Sequence, residues 1–317
     1  MAVFRAKLSS EEASSVEELR SFCFENGVVG IGWGVGDEQI SDSGEYARKV
    51  SERWKDLDWS SEAWKRSHNA LVGAKQHDWV WALSVRTGFW VGQFQDNNDW
   101  QYRQESDFRK LDLWQTRACV WRQVGSLGAV PGTVRNAFVG PGSTFCRVAP
   151  KDQSGTTEYL TAAAFHETGN EPVPACYRPN SIPKVKDETF VRHIPFDELE
   201  DIVGLYMQHE LGWAIIPSTC KHGTASTEFE ACKVVEGAAK KAHVQVKSGD
   251  QKLDNQLEAP PDVDEFFLFQ AAAEIDKAEF PGQKMTPISR KDLWSWLQEN
   301  LSLAPHATRR LLSMAFE

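Results

Sequence analysis

No stretch of this 317-residue chain is apolar for the ~20 residues that a bilayer span requires. Its first residues, MAVFRAKLSSEEASS, lack the apolar core and small-residue cleavage site of a secretory signal. A cytoplasmic protein that does not enter the membrane is therefore expected. The six cysteines, at 23, 119, 146, 176, 220 and 232, include no CxxC pair. That spacing argues against structural zinc, and the missing signal argues against disulfides, leaving cysteines that serve as small buried hydrophobes. P-loop, GxSxG and HExxH motifs are absent. The run Gly30-Ile31-Gly32-Trp33-Gly34 is not followed by the helix that a dinucleotide fingerprint needs. Neither an internal repeat nor a low-complexity tract interrupts the chain.

What is present is unevenly spread. Ten of the thirteen tryptophans lie at or before Trp121, so composition changes near residue 150. Charge changes with it. Residues 1–150 carry 18 basic and 19 acidic side chains, whereas 151–317 carry 17 and 26, net −9 of the chain's −10. Such acidity opposes indiscriminate binding to phosphates, but not a local basic stripe or a site where divalent ions offset carboxylates. Three regions are expected: a first domain over 1–150, a linker over 151–194 and a second domain over 195–317, with an α+β fold class overall.

In the first region Ser15 and Glu18 have the spacing of a capping box at the start of a short helix. Val28 to Gly34 reads as a strand rich in glycine, and residues 44–72 have a helical period. From His77 the period becomes two, giving strands on either side of an Arg86-Thr87-Gly88 turn. LWQTRACVWRQV and STFCRVA read as further strands, separated by a Val130-Pro131-Gly132 turn. Short strands with a few helices suggest a small, partly closed β-barrel. Residues 150–194, with Pro172, Pro174, Pro179 and Pro183, read as a short helix over 158–166 followed by linker. The second region opens with an amphipathic helix to about Glu210. Strands follow at 213–217, 228–235, 242–249 and 263–270, then helices at 289–303 and 306–316, the order of an α/β fold with a mixed sheet.

Chemistry concentrates on the strands of the second region. The two-residue period puts Gln245 and Lys247 on one face, with Val246 on the other, and lets Glu228 and Glu230 share a face on the preceding strand. If the strands pair around the turn at Gly237, a carboxylate, an amide and an ammonium converge. Metal-dependent phosphodiester cleavage needs carboxylate oxygens for Mg²⁺ and a cation for the attacking water or the charge building on phosphorus.

These residues resemble a known family. Leu199-Glu200-Asp201-Ile202-Val203, then Leu211-Gly212-Trp213, then Val244-Gln245-Val246-Lys247, are similar to the Mrr-like branch of the PD-(D/E)xK nucleases. The resemblance implies Glu200 as the helix acid, Gln245 as a metal-site amide and Lys247 as the catalytic lysine. The family usually places Asp at its central acid, where this chain offers Glu230, with Glu228 as second candidate. Glu200 and Glu230 would hold Mg²⁺. Residues 25–148 resemble EVE-type, PUA-like domains through GVVGIGWG (27–34), HDWVWAL (77–83), FWVGQF (89–94) and VPGTVRNAF (130–138). That resemblance implies a pocket for one base flipped out of a duplex, read by stacking and edge contacts. Trp33, set between glycines, is the first candidate platform, followed by Trp81, Trp90 and Trp100; the Asn97-Asn98-Asp99 loop beside Trp100 reads as a turn within reach of a base edge.

Together these expectations describe a modification-dependent DNA endonuclease of a restriction or anti-phage defence system, acting as a homodimer. The alternative is a non-catalytic reader of modified nucleic acid whose nuclease-like domain serves assembly or a partner.

Overall fold

The computed structural model describes residues 1–9, 15–36, 39–53, 60–97, 99–125, 127–139, 143–148, 155–171, 188–220, 227–254, 257–279 and 284–316. Trp54, Trp59, Asn98, the four linker prolines, Cys176 and His222 lie outside them. The chain forms two compact units: residues 1–130 with 137–179, and residues 131–136 with 180–317. No described helix is long and apolar enough to cross a membrane. The five described cysteines are free thiols, with Cys23 and Cys119 buried.

The first unit contains β1 (Val3–Ala6), α1 (Val16–Glu25), β2 (Val28–Ile31), α2 (Ser43–Arg53), α3 (Ser60–Gly73), β3 (Trp79–Ser84), β4 (Gly88–Phe94), β5 (Gln101–Tyr102), α4 (Ser106–Lys110) and β6 (Gln115–Gln123). After α5 (Gly132–Val139), whose first turn clusters with the second unit, come β7 (Phe145–Arg147) and α6 (Thr156–Thr168). The strands make one curved, barrel-like sheet in the order β2-β6-β4-β3-β1-β7, with β5 pairing to β6. It stops short of closure, and α3 packs against both end strands, β2 and β7. Inside lie Phe4, Val29, Ile31, Val80, Ala82, Phe94 and Phe145.

Alternation decides where the tryptophans of β3 go. Val80 and Ala82 face the barrel interior, so Trp79 and Trp81 face outward, and α6 covers them. α6 is buried over most of its length. It is the short helix expected over 158–166, and it belongs to the first unit, which extends beyond residue 150. The Ser15 side chain caps α1 by accepting from the Glu18 N–H at 3.3 Å. β3 and β4 form the hairpin around Arg86–Thr87. Four elements of this unit had no sequence expectation: β1, β5, α4 and α5.

The second unit contains α7 (Phe196–His209), β8 (Ala214–Ile215), β9 (Phe229–Val235), β10 (Ala238–Lys247), β11 (Glu265–Gln270), β12 (Met285–Pro287), α8 (Arg290–Glu299) and α9 (His306–Phe316). Its five-stranded mixed sheet runs β12-β11-β10-β9-β8. β8, β9 and β10 are antiparallel neighbours, while β10, β11 and β12 are parallel. Parallel neighbours need a crossover; residues 248–264 make it, and Leu253 packs on Phe266, Leu268 and Met285 on one face of the sheet. α7 lies on the opposite face, where Gly204 leaves room for Ile215 and Phe229. Both units thus mix helices and strands, as the α+β class requires.

Candidate functional site

Two side-chain clusters stand out, one in each unit. In the second unit the antiparallel register of β9 and β10 sets His243 opposite Glu230 and Val244 opposite Phe229. The Glu228 N–H donates to the Val244 carbonyl at 2.8 Å, which continues the ladder and brings Glu228 level with Gln245. Phe229, Ala231, Ala242, Val244 and Val246 fill the α7 side. The other face carries Glu228, Glu230, His243, Gln245 and Lys247.

The Gln245 side-chain nitrogen donates to Glu228 Oε1 at 2.9 Å, and Lys247 Nζ is 3.8 Å from the same oxygen. Gln245 is fully buried and Glu228 is 6% exposed, whereas the Lys247 side chain keeps 21% of its surface. Of the two acids open for the central position, Glu228 is therefore the one that meets Gln245 and Lys247. Glu230 is one step along the strand and more exposed, 3.8 Å from His243 Nε2; His243 Nδ1 is 3.3 Å from Thr227 Oγ1. Glu200 is half-buried on α7. It lies near enough to Cys220 to help raise that thiol's pKa, after burial and Asp201.

Magnesium prefers hard oxygen ligands and keeps several of its waters. Glu228 supplies a carboxylate. Gln245 supplies an amide oxygen, Oε1, that is buried without a hydrogen-bond partner among the described residues. Two such oxygens beside one another suit a cation that completes its shell with water or phosphate. They do not make an all-protein cage: among the described residues no three His, Cys, Asp or Glu side chains form a metal-holding group.

The first unit's cluster grows from an unusual backbone. Trp33 has φ of 67°, in the left-handed region that bulky side chains avoid. Such a conformation costs roughly 1–3 kcal/mol and persists only where its surroundings enforce it. Here they do. The Gly32 backbone lies against the Asp112 carboxylate and that of Gly34 against the Trp114 ring, so neither glycine has space for a Cβ. The Tyr46 hydroxyl donates to the Trp33 carbonyl at 2.8 Å. It accepts in turn from the Gln115 amide at 2.7 Å, and Gln115 also donates to the Gly32 carbonyl at 3.3 Å. Gln115 Oε1 is 2.7 Å from His68 Nδ1. Burial lowers the His68 pKa, against the Gln115 side chain and the Ser43 carbonyl, which raise it.

Around this chain of polar atoms stand aromatic rings. Tyr46 is 5.8 Å from both Trp100 and Tyr102, centroid to centroid, and 6.4 Å from Trp64. Tyr102 stacks on Trp114 at 5.7 Å. Trp33 packs against the same group while staying half-exposed. The indole nitrogen of Trp100 is buried and finds no acceptor among the described residues. A buried N–H of this kind is uncommon and calls for a partner.

Trp33 and Trp100 thus share a site. Trp81 and Trp90 do not join it. Trp81 is fully buried, its indole donating to Thr161 at 3.1 Å, and Trp90 stacks on Phe24 at 4.2 Å with its indole on Thr87. In the loop before Trp100, Asn97 accepts from the Gln76 N–H, and Asp99 pairs with the buried Arg117. Sequence reasoning missed Tyr46, Trp64, His68, Tyr102 and Gln115. Trp64 and His68 had a usable signal, the four-residue spacing that stacks two rings on one face of a helix; a buried glutamine had none.

The fold and clusters define a two-unit α+β chain with an aromatic, half-open site in one unit and a carboxylate–amide–lysine row in the other. Compared with known proteins, the chain matches no family model, no curated protein and no solved structure.

Proposed function

We propose that the chain is a modification-dependent DNA endonuclease of a restriction or anti-phage defence system: the first unit receives a flipped base and the second hydrolyses a phosphodiester with Mg²⁺. The observation that carries this reading is the meeting of Glu228, Gln245 and Lys247 across β9 and β10. The Glu228 carboxylate and Gln245 Oε1 would hold the cation, whereas Glu200, on the α7 side of the sheet near Cys220, and Glu230, beside His243, stand apart from that pair. When bound, magnesium polarises the phosphoryl oxygens and makes its water more acidic. Lys247, at the exposed end of the row, orients the attacking water and offsets the negative charge that builds on phosphorus. Ion-pairing to Glu228 holds its ammonium in place.

In the first unit a planar base stacks on Trp33 and approaches Trp100, whose N–H donates to an acceptor on the base edge. Stacking contributes on the order of 1–3 kcal/mol per base. A homodimer would bring two nuclease units to the two strands. Support for this reading lies in the chemistry of the two clusters and in the family resemblances of the sequence.

A second reading, a non-catalytic reader of modified nucleic acid, is favoured by one observation: no three acidic, histidine or cysteine side chains form a metal-holding group among the described residues. One experiment separates the two. Modified and unmodified duplexes are incubated with the protein in Mg²⁺ or EDTA, beside Lys247→Ala. Cleavage of modified DNA that disappears with EDTA and with Lys247→Ala supports the nuclease. Cleavage that survives both removes the mechanism, and binding without cleavage selects the reader.

A further inference from the structure

The β9–β10 hairpin runs past the rest of its sheet. β8 reaches β9 only at Ala231 and Cys232, and the β11 register begins at Ala242. Residues 233–240 are therefore a two-stranded ribbon with no strand on either flank among the described residues. A two-residue turn closes it, with Glu236 at φ 52° and Gly237 at φ 81°. Positive φ at both positions marks the turn type that suits twisted hairpins.

The ribbon is built without a core of its own. Val234 is 74% exposed, and Ala238, Ala239 and Lys241 are also exposed. Lys233 and Lys240, with Lys241 at the ribbon's base, outnumber the single acid of the segment, Glu236, in a half of the chain whose net charge is −9. Lys240 stands directly opposite Lys233. Like charges in that relation destabilise a ladder. Lys233 turns its ammonium to the Leu211 carbonyl at 2.7 Å; the Lys241 backbone N–H donates to the Asp264 carboxylate at 2.9 Å, and the ammonium groups of Lys240 and Lys241 make no ion pair among the described residues. Folding alone gives no reason for this arrangement. A polyanion does, since it would offset the ammonium groups of Lys240 and Lys241 and cover the exposed ribbon.

We propose that the β9–β10 ribbon is a docking element for B-form DNA, entering a groove with Lys240 and Lys241 on backbone phosphates. The major groove of B-form DNA is about 12 Å wide and admits a two-stranded ribbon, whereas that of A-form RNA is too deep and narrow. The same two strands carry Glu228, Gln245 and Lys247 at their other end, so the ribbon would set where the backbone lies relative to that row. The choice of DNA as partner rests on the function proposed above; the docking itself requires no cleavage.

The test is anisotropy of the full chain with a labelled, unmodified DNA duplex of about 24 base pairs, in EDTA, between about 50 and 200 mM salt. Each phosphate contact contributes about 0.9 to the slope of log affinity against log salt. Lys240→Glu with Lys241→Glu is expected to weaken binding at least about tenfold and to flatten the slope by about 1.8. Lys240→Gln with Lys241→Gln should flatten it similarly and guards against a folding defect. Melting should not fall in Lys240→Glu, because the new carboxylate faces Lys233. Lys277→Glu with Lys291→Glu, at exposed sites off the ribbon, matches the charge change and should leave the slope alone. An unchanged slope in both ribbon variants overturns the proposal, as does an equal loss in the Lys277/Lys291 control. So does a wild-type dimer that the ribbon variants split while DNA binding persists, which would assign the ribbon to a second copy. Because nothing is cut in EDTA, a protein without nuclease activity still gives a clear answer.

Discussion

The two clusters handle buried polarity in opposite ways. Around Trp33 the polar atoms form a closed relay, from His68 through Gln115 and Tyr46 to the Trp33 carbonyl, and rings surround it. Around Glu228 a carboxylate, an amide and an ammonium share one edge of a strand pair, and the ammonium end is open to solvent. The first arrangement is rigid and suited to shape; the second concentrates charge and is suited to chemistry. Both contain buried polar atoms without a described hydrogen-bond partner, among them a donor on Trp100 and an acceptor on Gln245. On the function proposed above, the contrast is a division of labour: selection of the substrate in one cluster, reaction in the other.

Variants can break that division. The largest effect is expected from Glu228→Gln, which keeps the shape but removes the charge: cleavage at saturating DNA should fall at least about a hundredfold. Affinity for modified duplex should stay within a factor of about three. A parallel loss of affinity would show that one cluster does both jobs.

Next comes Trp33→Ala. Loss of the stacking surface should weaken binding of modified duplex by about 1–3 kcal/mol, roughly 5- to 150-fold, with turnover at saturation unchanged. Equal weakening toward unmodified duplex would remove the base-reading role of Trp33.

The smallest effect concerns acid stability of the first unit. Burial pushes the Glu17 carboxyl up, but hydrogen bonds from Ser84, the Val85 N–H and Arg20, with the charge of that guanidinium, hold it down at about 2, against an ordinary value of 4.5. A depressed folded-state value means that its stabilisation is complete above about 4.5 and is lost as pH falls toward 2. Glu17→Gln should therefore lower stability near neutral pH and flatten its fall across that window, as read by denaturant melts. Identical pH profiles for the two proteins would contradict it.

Local chemistry was legible in the sequence where a pattern is short. Ser15 with Glu18, the β3–β4 turn and the period of β10 all follow from near neighbours, and the structure has each of them. Glu228 and Glu230 were equivalent at that level because parity puts both on one face. Only the register, a pairing between strands, sets Glu228 beside Gln245 and Glu230 beside His243. The same reason hid the relay at Trp33, which joins residues from α2, α3 and β6. α5 was hidden differently, since Val130-Pro131-Gly132 reads as a turn and is here the entry to a helix that starts at Gly132. Trp81 shows the limit of composition: a strand face with two tryptophans is read as open or covered only once α6 is in place.

Trp33 also bears on how this protein would respond to selection. Glycine tolerates a backbone at φ 67° with no strain, and asparagine tolerates it with little. A library enriched only for heat resistance would therefore drift toward those residues at position 33 and lose the indole. On the stacking role proposed for Trp33, enrichment for ligand capture would drive it back. Position 33 is where the two pressures part company.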